Sequence, residues 1–119
     1  MAEVNLGKFG YVQSEAVTGN KTLDEGDNGV VQNVTADATV TLPSTVVGTS
    51  YTIRVGADNV TLNISPAAAD KIMGNGFTSA DNKDAIFTDQ PIGSYVKLRG
   101  DGVNGWMVTE VHGTLTREA

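Results

Sequence analysis

Cysteine is absent from this 119-residue chain. Its absence removes disulfides, thiolate metal sites and cysteine nucleophiles together, and leaves stability to the apolar core, strand pairing or association with other copies. Histidine occurs once, at His112. It has no second His or Cys with which to share a metal and no marked Ser and carboxylate partners for a triad, so a surface or strand-end histidine is the simpler reading. Cations are few: eight Lys and Arg, scattered from Lys8 to Arg117, stand against fourteen Asp and Glu for a net charge of −6. A phosphate backbone repels such a chain, so neither nucleic acid nor an anionic membrane surface is an expected partner. No apolar run approaches the roughly 18 residues of a transmembrane helix. The opening MAEVNLGKFG lacks the apolar centre of a signal peptide, and folding in a cytosol is expected.

What is present is β-structure. From Thr39 to Ile64 the chain reads TVTLPSTVVGTSYTIRVGADNVTLNI, three runs of alternating β-branched residues separated by loops built on Pro43, Gly48, Gly56 and Asn59. That is the pattern of consecutive antiparallel strands. The length suits one core hiding roughly two-thirds of the unfolded chain's surface, with no room for a second domain. Strands are expected at 30–34, 39–42, 51–55, 60–64, 71–73, 85–88, 95–99 and 106–111, with another at 114–116. Alternation puts Val40, Leu42, Tyr51, Ile53, Val55, Val60, Leu62, Ile64, Val96 and Leu98 in the core. Thr39, Thr41, Thr52, Thr61 and Asn63 take the wetter faces. The expected fold is all-β: residues 25–119 form one small antiparallel sandwich, a jelly roll or a β-tulip-like barrel. Residues 1–24, interrupted by Gly7, Gly10 and Gly19, read as an extended N-terminal arm with at most one or two short strands.

Candidate chemistry is sparse. Asp24 to Gly29, DEGDNG, has Gly26 and Thr35 where a calcium loop needs an oxygen ligand and a Glu, so a tight turn explains it better. Asp81, Asp84 and Asp89 lie in or beside one polar loop and read as solvated. Phe77 in the loop 74–84 must either tuck into the core or meet a partner. Arg99-Gly100-Asp101 matches the tract that integrins recognise at a hairpin tip, but an ordinary turn between strands accounts for it. Four Asn-X-Ser/Thr tracts, at Asn20, Asn33, Asn59 and Asn63, are discounted as glycan sites because no secretion signal accompanies them. No cofactor or metal is expected, and no enzyme constellation is evident.

From Val34 to Val108 the parts follow in the order Val40-Thr41-Leu42-Pro43, Tyr51-Thr52-Ile53, Val60-Thr61-Leu62-Asn63-Ile64, Pro66, Asp70-Lys71-Ile72-Met73-Gly74, Gly93-Ser94-Tyr95-Val96-Lys97-Leu98, Asp101-Gly102 and Trp106. That order resembles the structural proteins of tailed bacteriophages, in head decoration (cement) proteins and in head or tail fibre domains. The likeness covers about three quarters of the chain and leaves out the arm and the loop from Asn75 to Asp84. It implies a virion protein made in the bacterial host cytoplasm and seated on the outer capsid surface. There a homotrimer would bind the major capsid protein of an expanded head and clamp neighbouring capsomers. On this expectation the arm, through Val4, Leu6, Phe9 and Tyr11, lays apolar anchors onto the capsid, with Phe77 as a further loop contact. Removing residues 2–18 is then expected to abolish binding and spare the domain. The alternative is a trimeric fibre module binding a host-surface glycan or protein, with Trp106, Tyr95 or Phe77 as stacking platforms.

Overall fold

In the computed structural model, which describes residues 13–67, 69–77 and 80–118, the period-two alternation becomes eleven strands in two facing sheets. They are β1 (Ser14–Val17), β2 (Lys21–Thr22), β3 (Val31–Val34), β4 (Ala38–Thr41), β5 (Ser50–Val55), β6 (Val60–Ser65), β7 (Lys71–Met73), β8 (Ala85–Gln90), β9 (Tyr95–Gly100), β10 (Gly105–His112) and β11 (Thr116–Arg117). One turn of 3-10 helix covers Glu25–Asp27, and no α-helix occurs among the described residues. Every strand expected from Val30 onward is present, with ends displaced by two residues at most.

The sheets are mixed, and this corrects the antiparallel expectation. One sheet has the order β1-β3-β5-β9-β10-β7 and the other β11-β8-β6-β4-β2. The first six strands alternate between them, so each circuit of the chain lays one strand in each sheet, parallel to the strand before. Ser14 pairs with Val31 and Val31 with Thr52, so successive coils consume 17 and 21 residues. The result is three coils of a flattened parallel solenoid, β1/β2, β3/β4 and β5/β6. β8 and β9 then return antiparallel to β6 and β5, and β10 pairs antiparallel with β9 and parallel with β7. Neither a jelly roll nor a purely antiparallel sandwich has such pairings. Among the described residues both sheets stay open, ending in β1 and β7 and in β11 and β2, and do not close into a barrel.

The coils stack because like side chains fall in register. Val17, Val34 and Val55 pair directly across β1, β3 and β5 and are all buried. Three residues beyond each valine stands an Asx residue that turns the corner. Asn20 Oδ1 accepts the Thr39 N–H at 2.8 Å, Asp37 Oδ1 that of Thr61 at 2.9 Å, and Asp58 Oδ1 that of Ile92 at 2.9 Å. Each corner oxygen thus satisfies a backbone donor of the next layer, which would otherwise end unpaired at a bend. The three-residue loop 35–37 reads in sequence like a hairpin turn. It carries the chain from one sheet to the other instead.

The expected core residues are all buried between the sheets. Trp106 and Tyr51 lie at its centre with ring centroids 5.2 Å apart, and Phe87 is equally enclosed. The described part of the segment read as an arm belongs to this body: β1 and β2 pair with β3 and β4, and Val17 and Leu23 are core residues. A deletion through residue 18 would remove β1, so a cut that spares the domain stops at residue 12. At the edge formed by β1 and β2, Glu15 and Lys21 occupy inward-facing positions of their ladders. Lys21 Nζ bonds Glu15 and reaches Gln32 Oε1 at 2.8 Å and Asp27 Oδ1 at 3.3 Å. Charge turned inward at an edge discourages further strands from adding there.

Candidate functional site

The chain has three corners in succession on one side of the solenoid, after β2, β4 and β6. They differ sharply in chemistry. The first is Asp24–Gly29, the acidic turn. Asp24 Oδ1 accepts the Gly26 N–H at 2.9 Å and Asp27 Oδ2 accepts the Asp24 N–H at 3.0 Å, a reciprocal cap on the 3-10 turn. These carboxylates serve their own backbone, as a tight turn requires. The corner leans on Ser50, whose N–H is accepted by Asn28 Oδ1 at 2.8 Å, and on the Tyr51 hydroxyl, which donates to Asp24 O at 2.8 Å. Burial, and then the charges of Asp27, Asp24 and Glu25, raise the Tyr51 hydroxyl above its ordinary pKa.

The second corner, Pro43–Thr49, has no charge at all; none occurs between Asp37 and Arg54. It is clamped from three directions. Thr45 N–H donates to Oδ2 of the buried Asp70 at 2.9 Å in the third corner. Thr45 Oγ1 donates to Gly105 O at 2.6 Å and accepts the Gly102 N–H at 3.0 Å. Gly48 N–H donates to Gly100 O at 3.1 Å, and Gly100 N–H returns to Thr49 O at 2.8 Å. The β9–β10 hairpin loop is thereby fastened to the corner.

That close approach explains two glycines. A Cβ on Gly100 would stand 2.5 Å from Val46 O, and one on Gly102, whose φ is +77°, would stand 3.0 Å from Val47 N. The loop's own rigidity comes from Asp101. Its Oδ1 accepts the N–H groups of Val103, Asn104 and Gly105 at 2.8, 2.7 and 3.0 Å. Those donors, Gly105 foremost, hold the carboxyl at about 2.

The tract Arg99-Gly100-Asp101 therefore has a structural explanation. Arg99 is the exposed penultimate residue of β9, Gly100 is buried against Val46, and Asp101 caps the turn from within. Nothing in this arrangement offers the three residues together at a hairpin tip.

What the two fastened loops do offer is apolar surface. Val46 is 49% exposed, Val47 75% and Val103 81%. The two loops meet at Val47, where a Cβ on Gly102 would stand 3.2 Å from Val47 Cβ, and Val46 and Val103 are the chain neighbours of that contact. Of the other large exposed apolar residues, Met107 lies on the outer face of the six-stranded sheet and Ile92 in the β8–β9 turn. The valines lie outside the period-two runs that mark strands, in the loop between Pro43 and Gly48. The signal was available in the uncharged run Thr45-Val46-Val47-Gly48.

The remaining sequence candidates scatter. Val4, Leu6, Phe9 and Tyr11 lie outside the described residues. Phe77 is half-buried and packs against the core. Trp106 is fully buried and offers no stacking face to a sugar. Tyr95 is stacked on His112, ring centroids 5.7 Å apart, and its hydroxyl bonds Glu110 on the outer face of the six-stranded sheet. Asp81 pairs with Lys71 Nζ at 2.6 Å, while Asp84 and Asp89 lie at opposite ends of β8. Among the described residues, no group of three or more His, Asp or Glu is placed to hold a metal. An open depression of about 240 Å³ lies beside the acidic corner, lined by Gln13, Ser14, Glu15, Gly26, Asp27 and Val30.

No family model, no curated protein and no solved structure matches this chain.

Proposed function

We propose that this chain is a structural virion protein that binds the outer surface of an expanded bacteriophage head, contacts the major capsid protein as a homotrimer and clamps neighbouring capsomers. The order of strand and turn motifs from Val40-Thr41-Leu42-Pro43 to Trp106 carries the reading, because it resembles head decoration proteins over three quarters of the chain. The fastened, uncharged valine corner supports it, since a rigid apolar patch is suited to protein contact. The arm residues Val4, Leu6, Phe9 and Tyr11 supply further anchors, with Gly7 and Gly10 allowing close backbone approach. Of the fibre alternative's three stacking residues, Trp106 is enclosed and Phe77 packs inward, which leaves Tyr95, stacked on His112 on the outer face of the six-stranded sheet.

Such a protein acts by linkage. A partner that binds only the mature shell stabilises it by about 2.7 kcal/mol per site at a concentration 100 times Kd. Repeated over a lattice, individually weak contacts resist the internal pressure of packaged DNA. The test is co-sedimentation of the purified chain with expanded shells of its source particle. Saturable pelleting, together with a higher temperature of shell disruption, is expected. A chain that stays in the supernatant at every shell concentration contradicts the proposal. Deleting residues 2–12 should weaken pelleting while leaving the thermal unfolding of the body unchanged.

A further inference from the structure

The geometry points to the valine corner, Val46 and Val47 with Val103, as the apex by which the body docks on the shell. Its occupant is an apolar patch with a basic flank on the capsid protein. This rests on the decoration reading above and adds to the arm a second contact, made by the folded body.

Three observations lead there. First, the patch is rigid. Thr45 ties it to Asp70, Gly102 and Gly105, and Asp101 braces the hairpin loop from within. Side chains held in place before binding lose little entropy on contact, which is how a small surface becomes an anchor.

Second, the charge around it selects the partner. The corner itself is neutral; its neighbour along the solenoid carries Asp24, Glu25 and Asp27, offset in part by Lys21 on Asp27, and joins it through Ser50, opposite which the exposed Arg99 adds one positive charge. An apolar centre with an acidic flank is complementary to an apolar centre with a basic flank. A second copy presents the same acidic flank. In a two-fold contact of corner against corner, like charge would face like.

Third, the size is wrong for a solitary partner. Three valines expose a few hundred Å² at most, against roughly 800 Å² per partner in a standard one-to-one interface. A patch of that size holds when many copies engage together, as on a repeating shell.

The experiment compares the wild-type chain with the double variant Val47→Asp/Val103→Asp in co-sedimentation with expanded shells of the source particle. Both side chains are largely in water, so the variant should keep the wild-type melting curve and circular dichroism. The expected result is a ~10-fold or greater loss of shell affinity. A milder variant, Val47→Thr, should lose several-fold, and Glu25→Lys should weaken binding at low salt and less so at high salt. If the wild type pellets and the double variant pellets equally well, the apex is elsewhere and the inference falls while the decoration reading stands. If the wild type itself does not pellet, the decoration reading fails and takes the inference with it. Light scattering on the same samples covers the remaining occupant. A soluble oligomer that the double variant reduces to monomers, with shell binding intact, would assign the patch to a second copy and overturn the inference.

Discussion

Two neighbouring corners of one solenoid, built on the same ladder of strands, meet water in opposite ways. After β2 the chain turns through Asp24, Glu25 and Asp27, and two of these carboxylates are consumed in capping the turn. After β4 it turns through Ser44-Thr45-Val46-Val47-Gly48, where the bracing comes from other segments and the exposed side chains are apolar. Both corners are comparably bonded, so the difference is not one of order. It lies in what each presents: the first is sealed with charge and the second is bare. The acidic turn needs no neighbour to make it soluble, whereas the valines gain from being covered.

The comparison can be broken at its shared foundation. Tyr51 reaches the first corner through its hydroxyl and packs on Trp106, which follows the Gly105 carbonyl that receives Thr45. Trp106→Ala should cost about 3–5 kcal/mol and loosen both corners together, read as a lower midpoint in denaturant and faster amide exchange in each. Asp70→Ala, by contrast, leaves the Thr45 N–H without its acceptor and should cost about 1–3 kcal/mol. Amide exchange should then quicken at 45–49 and 102–105 while 24–29 stays protected. Equal loosening of both would show that the corners are not independently braced.

Smaller effects sharpen the contrast. Gly102→Ala puts a Cβ where φ is +77° and Val47 is 3.0 Å away, and should cost roughly 1–2 kcal/mol; a chemical-shift map should show the change centred on Val47. The pH response separates the loops further. Asp101 ionises at about 2 in the folded chain, below its usual 3.8, so its contribution is present above pH 4 and is lost as the pH falls towards 2. Thermal melts should therefore decline over that window, and Asp101→Asn, which keeps an acceptor oxygen, should flatten the decline. Glu25→Gln, on an exposed side chain, should change stability by less than about 0.5 kcal/mol.

Much of the fold was legible in residue type. The alternation Tyr51-Thr52-Ile53-Arg54-Val55 and Val60-Thr61-Leu62-Asn63-Ile64 fixes both the strands and the faces they bury. Strand direction was not legible in the same signal, because period two is identical for parallel and antiparallel neighbours. The information lay in a longer period, Val17, Val34 and Val55 each followed after three residues by Asn20, Asp37 and Asp58, an internal repeat that the short-range reading missed. β1 and β2 are short strands of the kind allowed for residues 1–24, but their place in the core is hidden in the sequence, because exposed residues surround the single buried ones, Val17 and the adjoining Leu23. The acidic turn was readable because capping is local. The bracing of the valine corner was not, since the partners Asp70, Gly102 and Gly105 come from 25 to 60 residues away.

The central claim is that the chain is a repeated component of a virion shell, and the most direct measurement is its copy number relative to the major capsid protein in purified source particles, by quantitative mass spectrometry. The account predicts roughly one copy per one to three shell subunits, as lattice clamping requires. A handful of copies per particle, or none, would contradict it.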